Sequence, residues 1–387
     1  MKKQLSMILA GCMAVALAGS LAACSSSSSS DTTTAAEGET TTAASSSADT
    51  SDINIGLVVK TATNAHFQDI AYGAAIAANE LGVSLTTQNT TTESDVEGQI
   101  TLCENLISSG ADALILTAND SDGVAAAVDA AHDANVPFVT VDTEITNVWG
   151  DNVKEYMPDY IGVVHEEMAQ NMAEIAINEA KDRFGEDNVN VIILEGVQAA
   201  TSSQQRTAGF DAAIESSGVN LLISQSANFD QDTAQTTMGD FLQQPDYQKV
   251  NVVLCCNDLM AVGAMNALEE NGYTVGGDDG IIVCGIDGNV LSLESINEGK
   301  IYGTAYDWSI LQGYYAVYDA YNLITGAEAV PSETWTGYTA ITSENIADYL
   351  EHGQELAKWT MGDPVTEVSD YMQNFLKMGE ELTTFVD

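Results

Sequence analysis

The sequence predicts an α/β protein made of two similar lobes, each with a mainly parallel sheet covered by helices. Strand-like apolar runs alternate with helix-like runs over most of the chain from residue 53 onward. These strand-like runs are continuously apolar, which is typical of parallel sheets buried on both faces. Residues 112–142 and 250–287 also share one order: strand, Asn-Asp, helix, strand, Asp. Because one supersecondary unit occurs twice, we expect two lobes of the same construction.

The first lobe is predicted to begin with a strand at 53–59, INIGLVV, and a helix at 67–82 that ends at a glycine. A second strand, VSLTTQN, and a helix at 94–110 follow, and this helix also ends at a glycine. Glycine after the last helical residue is a common stop signal. The segments ADALILTA, DGVAAAVDAAHDAN and PFVTVDT continue the alternation.

The pattern restarts with the strand VNVIILEG at 189–196 and a helix at 202–218. It ends with the strand KIYGTAYD at 300–307 and an amphipathic helix that starts at residue 309. The tail beyond residue 340 holds two amphipathic segments, IADYLEHGQELAKW and VSDYMQNFLKMGEELTTF, which we expect to pack on the outside. In both lobes polar residues follow the strands, and ligands of open α/β sheets bind at those strand ends.

The first 51 residues are predicted to be a signal peptide (1–23) and a Ser/Thr-rich tether (24–51). Two lysines precede a short run of small apolar residues, as in secretory signals. Residues 21–24, LAAC, resemble the bacterial lipobox, which implies cleavage before Cys24 and a lipid on its thiol. A plain signal peptide and an uncleaved anchor are the alternatives. The tether has no large apolar residue and cannot form a core.

Composition excludes several classes of partner. About 335 residues follow the tether, enough for two domains, and the chain is 45% hydrophobic. The formal charge of −46 repels phosphate backbones, so we expect no nucleic-acid partner. It also disfavours flat binding to an anionic membrane, so membrane attachment would be through the lipid alone. We expect a monomer.

Four cysteines remain beyond the tether: Cys103, Cys255, Cys256 and Cys284. An exported protein can pair its cysteines, so their redox state is open. Cys255 and Cys256 lie in an apolar strand, where adjacent side chains point to opposite faces, which favours free, packed thiols.

Metal, cofactor and enzyme motifs are absent from the sequence. The four histidines show no metal-ligand spacing, and no phosphate loop or nucleophile elbow occurs. Asp142 and Asp287 resemble a glycosidase pair only in residue type. We therefore expect no cofactor, no metal and no catalysis.

Several segments together resemble the sugar-binding proteins of ABC importers, a type 1 periplasmic binding protein family with ribose-, galactose- and fructose-binding branches. They are GLVVKTATNAHFQDIAYGA, VTVD at 139–142, QQRTAGF, NDLMAVGAMNAL and GIDG, and the resemblance covers about residues 52–335. Repressors that share this core begin with a helix-turn-helix, whereas this chain begins with the signal peptide and tether.

The resemblance implies two Rossmann-like lobes hinged by three crossovers near residues 160–165, 305–310 and 335–338. The first lobe would comprise 52–163 and 308–336, and the second 164–307 and 337–387. It also implies a protein on the outer face of the bacterial membrane that closes on a monosaccharide or polyol and delivers it to permease subunits.

Sugars have two apolar faces and a rim of hydroxyls, which suits aromatic rings and planar polar groups. By resemblance Asn64 binds a hydroxyl, His66 with Phe67 covers a ring face, and Asp142 grips hydroxyls. A helix-capping Asn64 and a His66 packed in a turn are the alternatives. Thr143 stands where ribose binders have Arg, and Lys60 would supply that charge. This combination looks nearer the fructose-binding branch.

In the second lobe the resemblance assigns hydroxyl contacts to Arg206, Asn257 and Asp287, and a stacking ring to Phe229. Arg206 is one of only two arginines in the chain, and we expect Arg206→Ala to abolish binding while the fold stays intact. The remaining candidates lie near the predicted hinges: His165 and Asp307.

Other uses of the same lobes stay open. The protein could signal to a receptor kinase, or bind an autoinducer, an inositol or a nucleoside. The sequence does not identify the sugar.

Overall fold

A computed structural model describes residues 50–146 and 153–386 of the 387-residue chain. The predicted signal peptide, Cys24 and almost all of the tether lie outside the described residues. Within those described ranges no helix is both long enough and apolar enough to cross a membrane.

The strands form two sheets. Their bounds are β1 (Asn54–Thr61), β2 (Ser84–Thr90), β3 (Ala113–Leu116), β4 (Phe138–Val141), β5 (Asp159–Gly162), β6 (Asn190–Glu195), β7 (Asn220–Ser226), β8 (Val252–Cys255), β9 (Ile282–Ile286), β10 (Gly303–Tyr306), β11 (Glu333–Trp335), β12 (Thr339–Thr342) and β13 (Thr384–Val386). The first sheet has the order β13-β11-β5-β4-β3-β1-β2, and the second has β12-β10-β9-β8-β6-β7. Among the strands of the described residues, only β13 and β12, at one edge of each sheet, run antiparallel to their neighbours.

Helices connect the strands. Their bounds are α1 (Ala65–Leu81), α2 (Val96–Ser108), α3 (Ala125–Asp133), α4 (Val153–Tyr156), α5 (His165–Phe184), α6 (Thr201–Ser217), α7 (Gln231–Leu242), α8 (Asp258–Glu270), α9 (Val290–Asn297), α10 (Ser309–Thr325), α11 (Ala347–Leu356) and α12 (Asp370–Glu380).

The strand order confirms the predicted fold class and the internal repeat. The run β2-β1-β3-β4-β5 in the first sheet has the same order as β7-β6-β8-β9-β10 in the second. Each sheet therefore has a switch point, between β1 and β3 and between β6 and β8, where neighbouring connections leave in opposite directions. Ligands of such sheets bind at these points.

Among the described strands the chain passes between the sheets four times, after β5, β10, β11 and β12. The passage after β12 is additional to the three crossovers that the resemblance implied. The lobe boundaries given above stay a prediction. The last strand of the tail, however, lies in a different sheet from the one expected. The predicted second lobe included 337–387, whereas β13 pairs with β11 and so belongs to the first sheet. This three-residue strand is exposed along its whole length, so it lacks the apolar pattern that would have marked it.

Two helices of the first lobe touch at their backbones. A Cβ on Gly73 of α1 would lie 1.8 Å from the carbonyl oxygen of Ile310 in α10, and one on Gly313 would lie 1.8 Å from that of Ile70. Glycine is needed at both positions because the helices cross without intervening side chains.

The four cysteines named above are buried and free, as expected for packed thiols. Burial raises the pKa of every one of them, to about 12 for Cys103 and about 11 for Cys256. They are therefore poor nucleophiles near neutral pH.

Candidate functional site

A narrow pocket, largely filled by its own side chains, lies between the two sheets at the carboxyl ends of their strands. Nine of the twelve predicted ligand-binding residues line it. The lining residues are Lys60, Asn64, His66, Phe67, Glu93, Asp142, Ser202, Arg206, Phe229, Asn257 and Asp287. The other three predicted residues, Thr143, His165 and Asp307, contact members of this set.

His66 lies among three carboxylates. Its Nε2 is 3.3 Å from Asp142 Oδ1, and its Nδ1 is 3.6 Å from Asp307 Oδ1 and 3.9 Å from Asp287 Oδ1. Burial opposes a charge on the ring, but Asp307, Asp287 and Asp142 together raise its pKa to about 10. His66 is therefore a cation, held edge-on to Phe67 with ring centroids 4.8 Å apart.

Arg206 joins the same carboxylates from the other lobe. Its guanidinium donates to Asp287 Oδ1 at 3.1 Å and to the carbonyl of Cys256 at 2.8 Å. Its second terminal nitrogen is 3.6 Å from Asp307 and 3.9 Å from Asp142. The side chain is 3% exposed, so these charges interact with little screening by water.

Lys60 and Thr143 form one unit at the end of β1. Lys60 Nζ donates to Thr143 Oγ1 at 2.8 Å, and that hydroxyl donates to Asp142 Oδ2 at 2.7 Å. The ammonium also lies 5.5 Å from the ring centre of Phe67 and 5.6 Å from that of Phe229. A lysine thus places its charge beside Asp142 through the short Thr143.

Asn64 is the N-cap of α1. Its Oδ1 accepts from the His66 backbone N–H at 3.1 Å and from Asn289 Nδ2 at 3.0 Å, while its Nδ2 donates to Glu93 Oε1 at 3.1 Å. An amide oxygen has two lone pairs, so Asn64 Oδ1 has none left for a ligand. The contacts of Asn64 therefore fit the alternative role, that of capping α1.

Two other predicted residues support their neighbours. His165 Nε2 lies 2.9 Å from the carbonyl of Asp142, and Arg206 Nε donates to His165 Nδ1 at 3.3 Å. Burial first, and then Arg206, lower the pKa of His165 to about 3, so it is neutral and carries its proton on Nε2. Asn257 caps α8 through Oδ1 and donates to the carbonyl of Phe229.

Several buried polar atoms in this part of the structure have no hydrogen-bond partner among the described residues. They are both ring nitrogens of His66, Asp142 Oδ1, Asp287 Oδ2 and both carboxylate oxygens of Asp307. Unsatisfied buried polar atoms are costly, and one cluster holding so many predicts a ligand that supplies partners. Four of the six are acceptor oxygens, which favours a ligand rich in hydroxyl donors.

The four acids of the site differ in protonation. Burial raises the pKa of each, but His66 and Lys60 reverse this at Asp142, whose pKa lies well below the usual range. Burial prevails at Asp287, at Asp307 with a pKa of about 6, and at Glu93 with a pKa of about 7. The site therefore changes charge between pH 5 and 8.

Three site residues adopt left-handed backbone conformations: Asp142 (φ 62°), Phe229 (φ 60°) and Asp287 (φ 121°). Trp308, at the second passage between the sheets, has φ 52°. Such conformations cost about 1–3 kcal/mol for residues other than glycine and cluster at ligand sites and hinges.

Sequence reasoning did not find Glu93, Ser202 or Asn289. Each follows a strand or starts the next helix, so the rule that polar strand ends face the cleft was the available signal. Their partners are far away in sequence: Asn289 bonds Asn64, and Ser202 Oγ lies 3.0 Å from Thr143 Oγ1.

His66, Asp142 and Asp307 each offer one atom within 4.8 Å of the others, a spacing that suits a metal ion. The surroundings of this donor set disfavour a metal ion, because the cationic Lys60 and Arg206 both lie within 4 Å of Asp142.

Comparison with known proteins agrees with this architecture. Residues 55–328 match the family model described as the periplasmic binding protein domain. The chain belongs to the periplasmic binding protein family. It is 30% identical to the ribose import binding protein of Bacillus subtilis over 287 residues, which is 72% of this chain and 84% of that protein.

Two further relatives belong to the same family. The D-ribose/D-allose-binding protein of Pseudomonas aeruginosa is 28% identical over 275 residues, 70% of this chain and 82% of that protein. An ABC transporter solute-binding protein from Actinobacillus succinogenes, solved with bound D-allose, superposes with a TM-score of 0.67 at 26% identity. It covers 77% of this chain and 100% of its own. These likenesses identify a type 1, sugar-binding periplasmic binding protein, as the sequence predicted.

Proposed function

We propose that the protein binds a monosaccharide or polyol in the pocket between its lobes and presents it to an ABC importer. The observation that carries this proposal is the cluster of unsatisfied acceptors around Arg206 and His66. A neutral polyol supplies hydroxyls to these oxygens without adding charge. The relatives named above bind ribose and allose, which agrees with this ligand class.

The lobes contact each other around the pocket, as closure on a ligand requires. Beyond Asn64–Asn289, the Ser121 hydroxyl accepts from the Thr201 backbone N–H at 2.9 Å, and Gln205 donates to Glu144 at 3.0 Å. A ligand that touches both lobes stabilises this closed form over an open one. The permease would recognise the closed surface.

We place the ligand nearer the ketose branch than the ribose branch. Thr143 replaces an Arg expected in ribose binders, and Lys60 brings a single charge where Arg would bring a planar fork. Asp307 accepts hydrogen bonds only, where an amide would also donate. Both differences change which hydroxyl stereochemistry fits.

We infer an extracytoplasmic protein held to the membrane by a lipid on Cys24, acting as a monomer without catalysis. One acyl chain alone gives marginal binding, so firm attachment requires further chains.

A thermal-shift screen of the purified protein tests the proposal. The panel contains D-ribose, D-allose, D-fructose, xylitol, myo-inositol and adenosine. A bound ligand at a hundredfold excess over Kd stabilises the fold by about 2.7 kcal/mol. We expect a sugar or polyol to give a clear upward shift. A shift with adenosine alone would replace the ligand class, and a cooperative melt that no member shifts would contradict carbohydrate binding.

A further inference from the structure

Glu93 is a carboxyl group in the pocket wall that the family resemblance does not assign to the ligand. It follows β2, is 8% exposed, and lies beside Lys60 and Asn64. Charged side chains are rarely buried to this degree without a partner or a function. Its one hydrogen bond given by the structure is through Oε1, from Asn64.

The loop that carries Glu93 is held on both sides. Before it, the Thr90 hydroxyl contacts the carbonyls of Lys60 and Thr92. After it, Asn119 donates to the carbonyl of Asp95 at 3.0 Å, and Asp95 caps α2. Glu93 is therefore fixed at the pocket wall rather than free to turn into solvent.

Because of its contacts, Asn64 cannot accept a hydrogen bond from a ligand in its part of the pocket wall. The Asn64 carbonyl oxygen is occupied by the helix cap and by Asn289. A ligand hydroxyl that approaches here needs a different acceptor. Glu93 and Asp287 are two acidic side chains that adjoin Asn64 in the wall, and Glu93 is the one on the side of Lys60. Asn64 holds the carboxyl group in place by donating to one of its oxygens.

The charges that face Glu93 are mixed. Lys60 from β1 and His66 from α1 favour its ionised form, whereas Asp287 after β9 opposes it. Burial is the largest effect, and the resulting pKa is about 7. Small changes in what touches this carboxyl therefore change its protonation at physiological pH.

We propose that Glu93 is a further ligand-contacting residue whose ionised carboxylate accepts a hydroxyl of the bound carbohydrate. The ligand O–H stays intact and donates to the carboxylate, and the proton of the neutral Glu93 leaves to solvent. This inference rests on the proposed carbohydrate-binding function and adds pH dependence to it.

Isothermal titration calorimetry with the tightest ligand of the panel, from pH 6 to 8, tests the inference. If only the ionised form binds, the wild-type Kd is about tenfold weaker at pH 6 than at pH 8, because the binding-competent fraction falls by that factor. Glu93→Gln should weaken binding at least tenfold at pH 8 and remove this part of the pH profile. The exposed Glu97→Gln is the matched control and should behave as wild type.

Proton release measured in two buffers of different ionisation enthalpy gives a reading on the wild-type protein alone. Release of part of a proton near pH 7, lost in Glu93→Gln, supports the proposal. Asp307 also titrates at about pH 6, but it remains in both proteins, so their difference isolates Glu93. Unchanged pH profiles in Glu93→Gln overturn the Glu93 inference and leave the proposed function standing. A wild-type protein that binds no carbohydrate overturns both.

Discussion

Arg206→Ala should cost stability as well as binding. Arg206 is 3% exposed and lies 3.1–3.9 Å from three carboxylates. Removing one partner of a buried ion pair costs about 3–5 kcal/mol, because the remaining charges stay buried without compensation. We still expect the variant to fold, as predicted from the sequence, but with a much smaller free energy of unfolding.

The cost should depend on pH. Without the guanidinium, the pKa values of Asp287 and Asp307 rise further, so both carboxyls take up protons in the folded variant more readily than in the wild type. Protonation relieves the uncompensated charge. The difference in unfolding free energy between variant and wild type should therefore be larger at pH 8 than at pH 5.

Urea denaturation at pH 5 and pH 8 measures this difference, and calorimetry with the tightest sugar measures affinity. We expect sugar binding to fall below detection, an affinity loss of at least about 100-fold from the missing charge-assisted bonds. Arg183→Ala is the matched control for affinity, since Arg183 lies in the last turn of α5 and makes its contacts, with Glu179, Gly277 and Tyr302, away from the pocket. A destabilisation under about 1 kcal/mol, or one equal at both pH values, would show that Arg206 does not compensate the charges of the buried carboxylates.

Three other substitutions test separate parts of the structure. Burial and a hydrogen bond with Asp159 raise the pKa of Asp319 to about 9. Because this carboxyl ionises more readily in the unfolded chain, it lowers the free energy of unfolding progressively as pH rises from about 4 to about 9. Asp319→Asn should raise the unfolding free energy at pH 8 by on the order of 2–4 kcal/mol, with little change at pH 4, and an unchanged urea midpoint at pH 8 would count against it. Asp69 of α1 accepts hydrogen bonds from the Tyr306 and Ser309 hydroxyls and pairs with His352 at 3.0 Å. Burial alone would raise the pKa of Asp69, but these contacts together lower it. Asp69→Asn should therefore lower the free energy of unfolding by about 1–3 kcal/mol above pH 4, and by less as pH falls through the folded pKa of Asp69. It should also weaken sugar binding by destabilising the closed form, and an unchanged affinity would show that Asp69 does not contribute to closure. A Cβ on Gly196 would lie 2.1 Å from the ring of Phe229, so Gly196→Ala should displace this ring and weaken binding about tenfold in calorimetric titrations. Gly239→Ala is the control, because a Cβ there meets no atom within 4 Å, and it should leave the affinity unchanged.

The fold could be predicted because its strands carry local signals. β1, β6 and β8 are continuous apolar runs, and each repeat unit places its polar residues where a parallel sheet ends. The exposed β13 gives no such signal, because its pairing with β11 depends on backbone contacts between residues about 50 positions apart.

The site was predicted by residue type more fully than by role. The sequence marked Asn64 and His66 as candidates but not the contacts they make. Asn64 bonds Asn289 and His66 lies beside Asp307, and only the fold brings these distant residues together. Glu93 was missed because nothing in the loop TTTESD distinguishes it from a surface acid until Asn64 and the buried wall are seen beside it.

A crystal structure of the protein with its tightest-binding carbohydrate tests most directly whether the pocket between the lobes binds sugar. We expect the sugar between the lobes, with a ring face near Phe67 or Phe229 and hydroxyls within hydrogen-bond distance of Arg206, Asp142 and Asp287. A carbohydrate bound outside this pocket, with these side chains still paired only to one another, would contradict it.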